Sequence, residues 1–164
     1  VGAVRELARV GAANALLRGT PSQPDRASQE FRKALAGSSD PDVLAAAHAG
    51  LGDVSFAAAK RLQDEKKMEE AKAALVEATE HYLRVTLVYR DQVTDATPVL
   101  TSFENQAKAF AALFDQSDGK DCLSAARAYA AYYDLHGMLE GAQKRRIALE
   151  ASAFNTKRKE KGCK

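Results

Sequence analysis

Apolar residues return at intervals of three and four along almost the whole chain, and no stretch alternates for long. That periodicity predicts helices and no sheet. Val4, Leu7, Ala8, Gly11 and Ala15 make a first stripe, giving a helix over 2–18. Turn formers from Gly19 to Pro24 break it, and a second helix starting at Pro24 carries Ala27, Phe31, Ala34 and Leu35. Gly37 is placed to take a left-handed cap. Asp40-Pro41 opens a third helix: the carboxylate can cap free amides, and proline suits a first turn that needs no donor. It runs through Leu44, Ala47, Leu51, Val54 and Ala58 to about Leu62. A fourth, about 67–90, carries Ala71, Leu75, Ala78, Tyr82, Val85 and Tyr89. Thr97-Pro98 repeats the cap-plus-proline start for a fifth over 98–115. A sixth covers about 120–135 with Cys122, Ala125, Tyr129 and Tyr132, and a seventh runs from Leu139 to about Phe154. Residues 155–164 read as a mobile basic tail, because Lys157, Arg158, Lys159 and Lys161 repel one another and no large apolar side chain follows Phe154.

Helices two, four and six share a pattern. Ala27-x3-Phe31-x2-Ala34, Ala78-x3-Tyr82-x2-Val85 and Ala125-x3-Tyr129-x2-Tyr132 lie 51 and 47 residues apart. A small residue one turn before an aromatic lets neighbouring helices approach while the ring fills the gap. Leu51-Gly52 on helix three adds a glycine at a crossing point. Paired helices that repeat in this way predict a stacked α-solenoid.

On these residues the chain resembles the tetratricopeptide repeat family, whose signature pairs Leu-Gly on one helix with Ala-x3-Phe/Tyr-x2-Ala on the next. Leu51-Gly52 with Ala78 and Tyr82 carries the resemblance best; Val10-Gly11 is a weaker counterpart of Leu-Gly, and the third pair lacks it. The likeness covers about residues 1–136, at a period longer than the family's roughly 34 residues. The long helix ending YLRVTLVYRD is similar to bacterial cell-envelope variants, so the resemblance implies periplasm or cell envelope. It implies an all-α, right-handed solenoid of three hairpins plus a C-terminal helix over 1–154, and a role in binding proteins.

Composition changes this picture little. The 164 residues are 46% hydrophobic and 28% charged, a globular mix for one domain or one module of a longer array. Net charge is only +2, which excludes a whole-surface nucleic-acid binder. No apolar run approaches the roughly 20 residues of a membrane helix. Arg5, Glu6, Arg9 and Arg18 interrupt any signal-peptide core over 1–18. Charge is uneven, however: residues 144–164 hold eight basic and two acidic residues, +6, which leaves −4 on the rest. That end is a solubilising tail, a linker, or a contact for an anionic partner. No aromatic interleaves its lysines, so base stacking is unsupported.

Catalytic chemistry is sparse. His48, His81 and His136 are scattered, without His-x3-His or Cys-x2-Cys spacing. Gly119-Lys120 lacks the upstream glycine of a phosphate loop, and Phe114 stands where a calcium loop of the EF-hand type around Asp115, Asp118 and Asp121 needs an acid. We therefore expect no enzyme, no catalytic residues, no metal and no cofactor. Two cysteines make no disulfide framework; Cys122 and Cys163 read as one buried helical thiol and one free tail thiol, with a bridge as the alternative. The expected function is a protein-interaction scaffold holding a peptide or partner helix in the solenoid groove. Asn14, Asp53, Phe56, Asn105 and Lys108 are the candidate partner-binding residues, since they lie off the main apolar stripe on the first helix of each pair. Exposed helix polars and a core Phe56 explain them equally well. The alternative reading is an accessory or regulatory helical domain of a larger, possibly enzymatic, protein.

Overall fold

In the computed structural model, which describes residues 2–163, the described residues form seven helices and no strand. They are α1 (Gly2–Arg18), α2 (Pro24–Gly37), α3 (Pro41–Asp64), α4 (Met68–Leu83), α5 (Thr97–Gln116), α6 (Cys122–Met138) and α7 (Gly141–Glu160). A π-helical stretch, Arg84–Tyr89, prolongs α4. Each helix packs against the next, and α3 also touches α1 and α5. Among the described residues no helix is long and apolar enough to cross a membrane.

The caps follow partly from sequence. Asp40 Oδ1 accepts from the amides of Asp42 (2.9 Å) and Val43 (3.4 Å), with Pro41 opening α3. Thr97 does not cap α5; it lies inside the helix, and its amide donates instead to Asp95 Oδ1 at 2.9 Å. Gly37 takes no left-handed cap: it is the last residue of α2, followed by an extended Ser38, and the Glu6 carboxyl lies beside it.

The first stripe is corrected. α1 buries Glu6, Val10 and Ala13, whereas Val4 and Leu7 are exposed. In a helix this rich in alanine the large apolar residues do not dictate the face. Glu6 can be buried because Arg5 (2.9 Å) and Arg9 (2.6 Å) pair with its two oxygens. Ala27, Phe31 and Ala34 on α2, and Ala71, Leu75, Ala78 and Tyr82 on α4, are buried as expected, but of the α6 stripe only Ala125 and Tyr132 are: Cys122 is exposed and Tyr129 half-buried.

Two aromatic rings lock α3 to its neighbours. A Cβ added to Gly50 would lie 2.2 Å from Phe31 Cζ, and one added to Gly52 would lie 2.5 Å from Tyr82 Cε1. The α2 and α4 rings thus rest directly on α3 backbone, where only glycine fits. Where the sequence reads one helix over 67–90, the structure widens it at Arg84. The longer turn lets the consecutive residues Val85 and Thr86 both face inward, and Thr86 Oγ1 donates to Gln106 Oε1 on α5 at 2.8 Å.

The C-terminal end is also corrected. α7 continues past Phe154 to Glu160, and Cys163 is buried and disulfide-bonded to Cys122, with Cα atoms 5.3 Å apart. There is neither a free tail thiol nor a buried helical one; Cys122 begins α6 on the exposed side. The lysines have acids after all: Lys157 meets Asp115, in the last turn of α5, at 2.6 Å, and Lys161 meets Asp118, in the α5–α6 turn, at 3.3 Å. Arg158 stacks over the Tyr129 ring, 4.8 Å from its centroid. The acids 115, 118 and 121 that suggest a cation loop therefore serve structure, Asp121 capping α6 through the Ser124 amide at 3.0 Å.

Candidate functional site

Residues of α1, α3 and α5 converge on a cavity of about 220 Å³. Asn14 and Arg18 come from α1, Ala46, Ala49, Gly50 and Asp53 from α3, and Thr97, Thr101 and Ser102 from α5. Asp95 closes one side. Its loop is pinned by Asp42 at the start of α3, which accepts from the Thr94 amide (2.8 Å), the Thr94 hydroxyl (2.7 Å) and the Asp95 amide (3.2 Å). Those bonds, with the Thr94 hydroxyl foremost, hold the Asp42 carboxyl below its usual range.

Asp53 is the centre of the site. Its Oδ1 accepts from the Tyr82 hydroxyl at 2.8 Å and from Asn105 Nδ2 at 2.9 Å, so α3, α4 and α5 meet on one oxygen. Burial pushes the Asp53 carboxyl above the usual carboxylate range, and the Tyr82 and Asn105 bonds with the charge of Arg18 pull it partly back. Burial, then the nearby carboxylate, also raises the Tyr82 hydroxyl. A raised carboxyl pKa in the folded state means that ionising Asp53 opposes folding as pH rises through it. Asp53→Asn keeps an acceptor for Tyr82 and Asn105 and removes the charge. We expect it to melt at or above the wild-type temperature at pH 7; a clear fall, measured by circular dichroism, would show that the charge itself supports the fold.

The sequence candidates separate into two groups. Asn14, Asp53 and Asn105 come together, the first two on the cavity wall and the third bonded to Asp53. Phe56 is half-buried against the core with Lys60 Nζ 4.9 Å from its ring centroid. Lys108 donates to Glu104 at 2.6 Å, and Glu104 also receives a two-pronged contact from Arg146 of α7 at 2.9 and 3.0 Å. Neither Phe56 nor Lys108 lines the cavity. Tyr82, Asp95 and Ser102 escape the sequence reading: Tyr82 carries the signature of a core ring, and the other two have no periodicity or motif to mark them.

A second cluster joins α3 to α4. The Nδ1 atoms of His48 and His81 lie 3.0 Å apart, and Tyr89 stacks on His48 with ring centroids 6.0 Å apart. A neutral pair shares one proton across that gap, whereas two imidazolium rings cannot. Burial, reinforced by the charges of His81 and Arg84, lowers His48 to about 4. The unfolded chain then binds more protons between pH 6.5 and 4, so stability falls as pH falls through that window. We expect a loss of about 3 kcal/mol across it from His48, read from urea unfolding at pH 7 and pH 4. His48→Asn should flatten that acid limb; an unchanged limb would contradict the buried neutral ring. Among the described residues no three His, Cys, Asp or Glu side chains gather as a metal-ligand set.

Protein-family models, curated proteins and solved structures provide no match to this chain.

Proposed function

We propose that this chain is a non-catalytic protein-interaction module of tetratricopeptide-like architecture. In this reading α1–α2, α3–α4 and α5–α6 are successive hairpins of a right-handed stack, α7 closes the last one, and the face made by α1, α3 and α5 holds an extended peptide or a partner helix. The observation that carries it is the cavity on that face, where side chains from all three first helices converge on the half-buried Asp53. Two further features support it. α3 touches both α1 and α5, the contact order of stacked hairpins. The rings of Phe31 and Tyr82 sit on Gly50 and Gly52 of α3, and Gly52 is the glycine of the Leu-Gly pair that carries the resemblance.

The disulfide supports an oxidising compartment such as a periplasm or cell envelope, since such bonds are rare where thiols are kept reduced. The basic end is engaged by Asp115 and Asp118, which disfavours a role as a free arm for nucleic acid.

Thr101 is exposed on the groove side and Leu149 is exposed on α7. Affinity capture from the native source should therefore lose its specific partner with Thr101→Arg and keep it with Leu149→Arg. Equal loss with both variants, or with neither, would contradict the groove as the binding face.

A further inference from the structure

Asp53 uses its two oxygens unequally. Oδ1 takes both the Tyr82 hydroxyl and the Asn105 amide, while Oδ2 has no donor among the described residues. Asp95, on the same wall, likewise commits only Oδ1, to the Thr97 amide. The third feature is Ser102. It is fully buried, lines the same cavity, and its hydroxyl has no hydrogen-bond partner. A buried hydroxyl left unpaired costs about 1–3 kcal/mol, and this wall holds two uncommitted carboxylate oxygens and a hydroxyl that can both donate and accept.

We propose that this cavity receives the cationic side chain of a lysine or arginine from the partner segment, held by Asp53 Oδ2, Asp95 and the Ser102 hydroxyl. The proposal rests on the groove reading above and names what the groove recognises. Charge selects the occupant: two carboxylates and one guanidinium, Arg18, leave the lining at −1. Arg18 is exposed at the mouth, and its attraction is the smallest of the influences on Asp53, so the acid remains undercompensated in the free protein. Size selects too. About 220 Å³ accommodates one long side chain but falls below the range of roughly 300–1,000 Å³ usual for drug-sized ligands and cofactors. An ammonium donates three hydrogen bonds and a guanidinium five, which matches a wall of unused acceptors. The methylene stem would pass Ala46, Ala49 and Gly50, the small residues that line this part of α3.

The test is a titration of the ¹⁵N-labelled full chain with capped amino acids: N-acetyl-lysine-N-methylamide, its arginine analogue, and the uncharged norleucine analogue. The side-chain amide signals of Asn14 and Asn105 and the backbone amides of residues 95–97 and 99–102 are followed by NMR. The lysine or arginine probe should move these signals saturably, and the norleucine probe should leave them in place. Asp53→Asn should weaken the basic probe at least tenfold and Asp95→Asn severalfold, with thermal melts verifying that both variants fold. Affinity should fall as pH drops through the Asp53 titration. Equal shifts with norleucine, equal affinity in Asp53→Asn, or no shift at tens of millimolar probe would each overturn the proposal. Spermidine binding more tightly than either capped residue would assign the pocket to a free polyamine and also overturn it. The two readings fail distinguishably: a partner captured through the Thr101 face that needs no basic residue sinks only this inference, whereas a saturable cation site without any partner on that face sinks the groove and this inference with it.

Discussion

Tyr82→Ala is expected to cost about 3–5 kcal/mol of folding free energy, the range for truncating a large buried aromatic. The ring is completely buried and seated where Gly52 leaves no side chain. At Gly52 the ring meets backbone, so no side chain there can fill the space. The hydroxyl adds its bond to Asp53 at 2.8 Å. Tyr82→Phe separates the two contributions: it keeps the ring, leaves Asp53 with Asn105 alone, and should cost only about 1–2 kcal/mol. The reciprocal change, Gly52→Ala, drives a methyl to within 2.5 Å of the ring and should destabilise by about 1–3 kcal/mol through overpacking. Urea titrations of the three variants provide the check. A Tyr82→Ala loss below about 1 kcal/mol would mean that the ring is not the contact between α3 and α4.

The second large effect belongs to the disulfide. Cys122 and Cys163 are 41 residues apart, and closing a loop of that length in the unfolded chain contributes about 4 kcal/mol by chain entropy. Replacing both cysteines by serine should lower the melting temperature by roughly 10 °C for a domain of this size. The ion pairs Lys157–Asp115 and Lys161–Asp118 are exposed and add little on their own. The end of α7 should then fray, and amides of residues 155–163 should exchange with deuterium much faster than those of α3. An unchanged melting temperature with unchanged protection would show that α7 is held without the bond.

The helices were legible in the sequence because each signal is local. The three-and-four spacing of Ala71, Leu75, Ala78 and Tyr82, and the Asp40-Pro41 start, act within a few residues and survive in the structure. Pairings across long separations were not legible. Asp115 and Lys157 lie in segments that each look like an unbalanced charge run, and only folding brings them to 2.6 Å. The same holds for Cys122 and Cys163. α1 misled for another reason: its apolar residues surround the helix, so Val4 and Leu7 could be assigned to a core that in fact receives Val10 and Ala13. The site was half legible. Asn14, Asp53 and Asn105 stand off the apolar stripes and were marked by that alone. Their union depends on Tyr82 reaching Asp53 from 29 residues away and Asn105 reaching it from 52. Lys108 carries the same sequence signal as Asn105, yet lies one turn on, where Glu104 takes it.

The central claim is that the face made by α1, α3 and α5 is where a partner lies, and site-specific photo-cross-linking tests it most directly. A benzoylphenylalanine is placed singly at Asn14 and Thr101 on that face, and at Lys72 and Leu149 on α4 and α7, and each chain is irradiated in its native host. All four positions are outside the buried core, so the fold should tolerate the probe. The account predicts one and the same cross-linked partner from positions 14 and 101, and none from 72 and 149. Cross-links confined to 72 and 149 would contradict it.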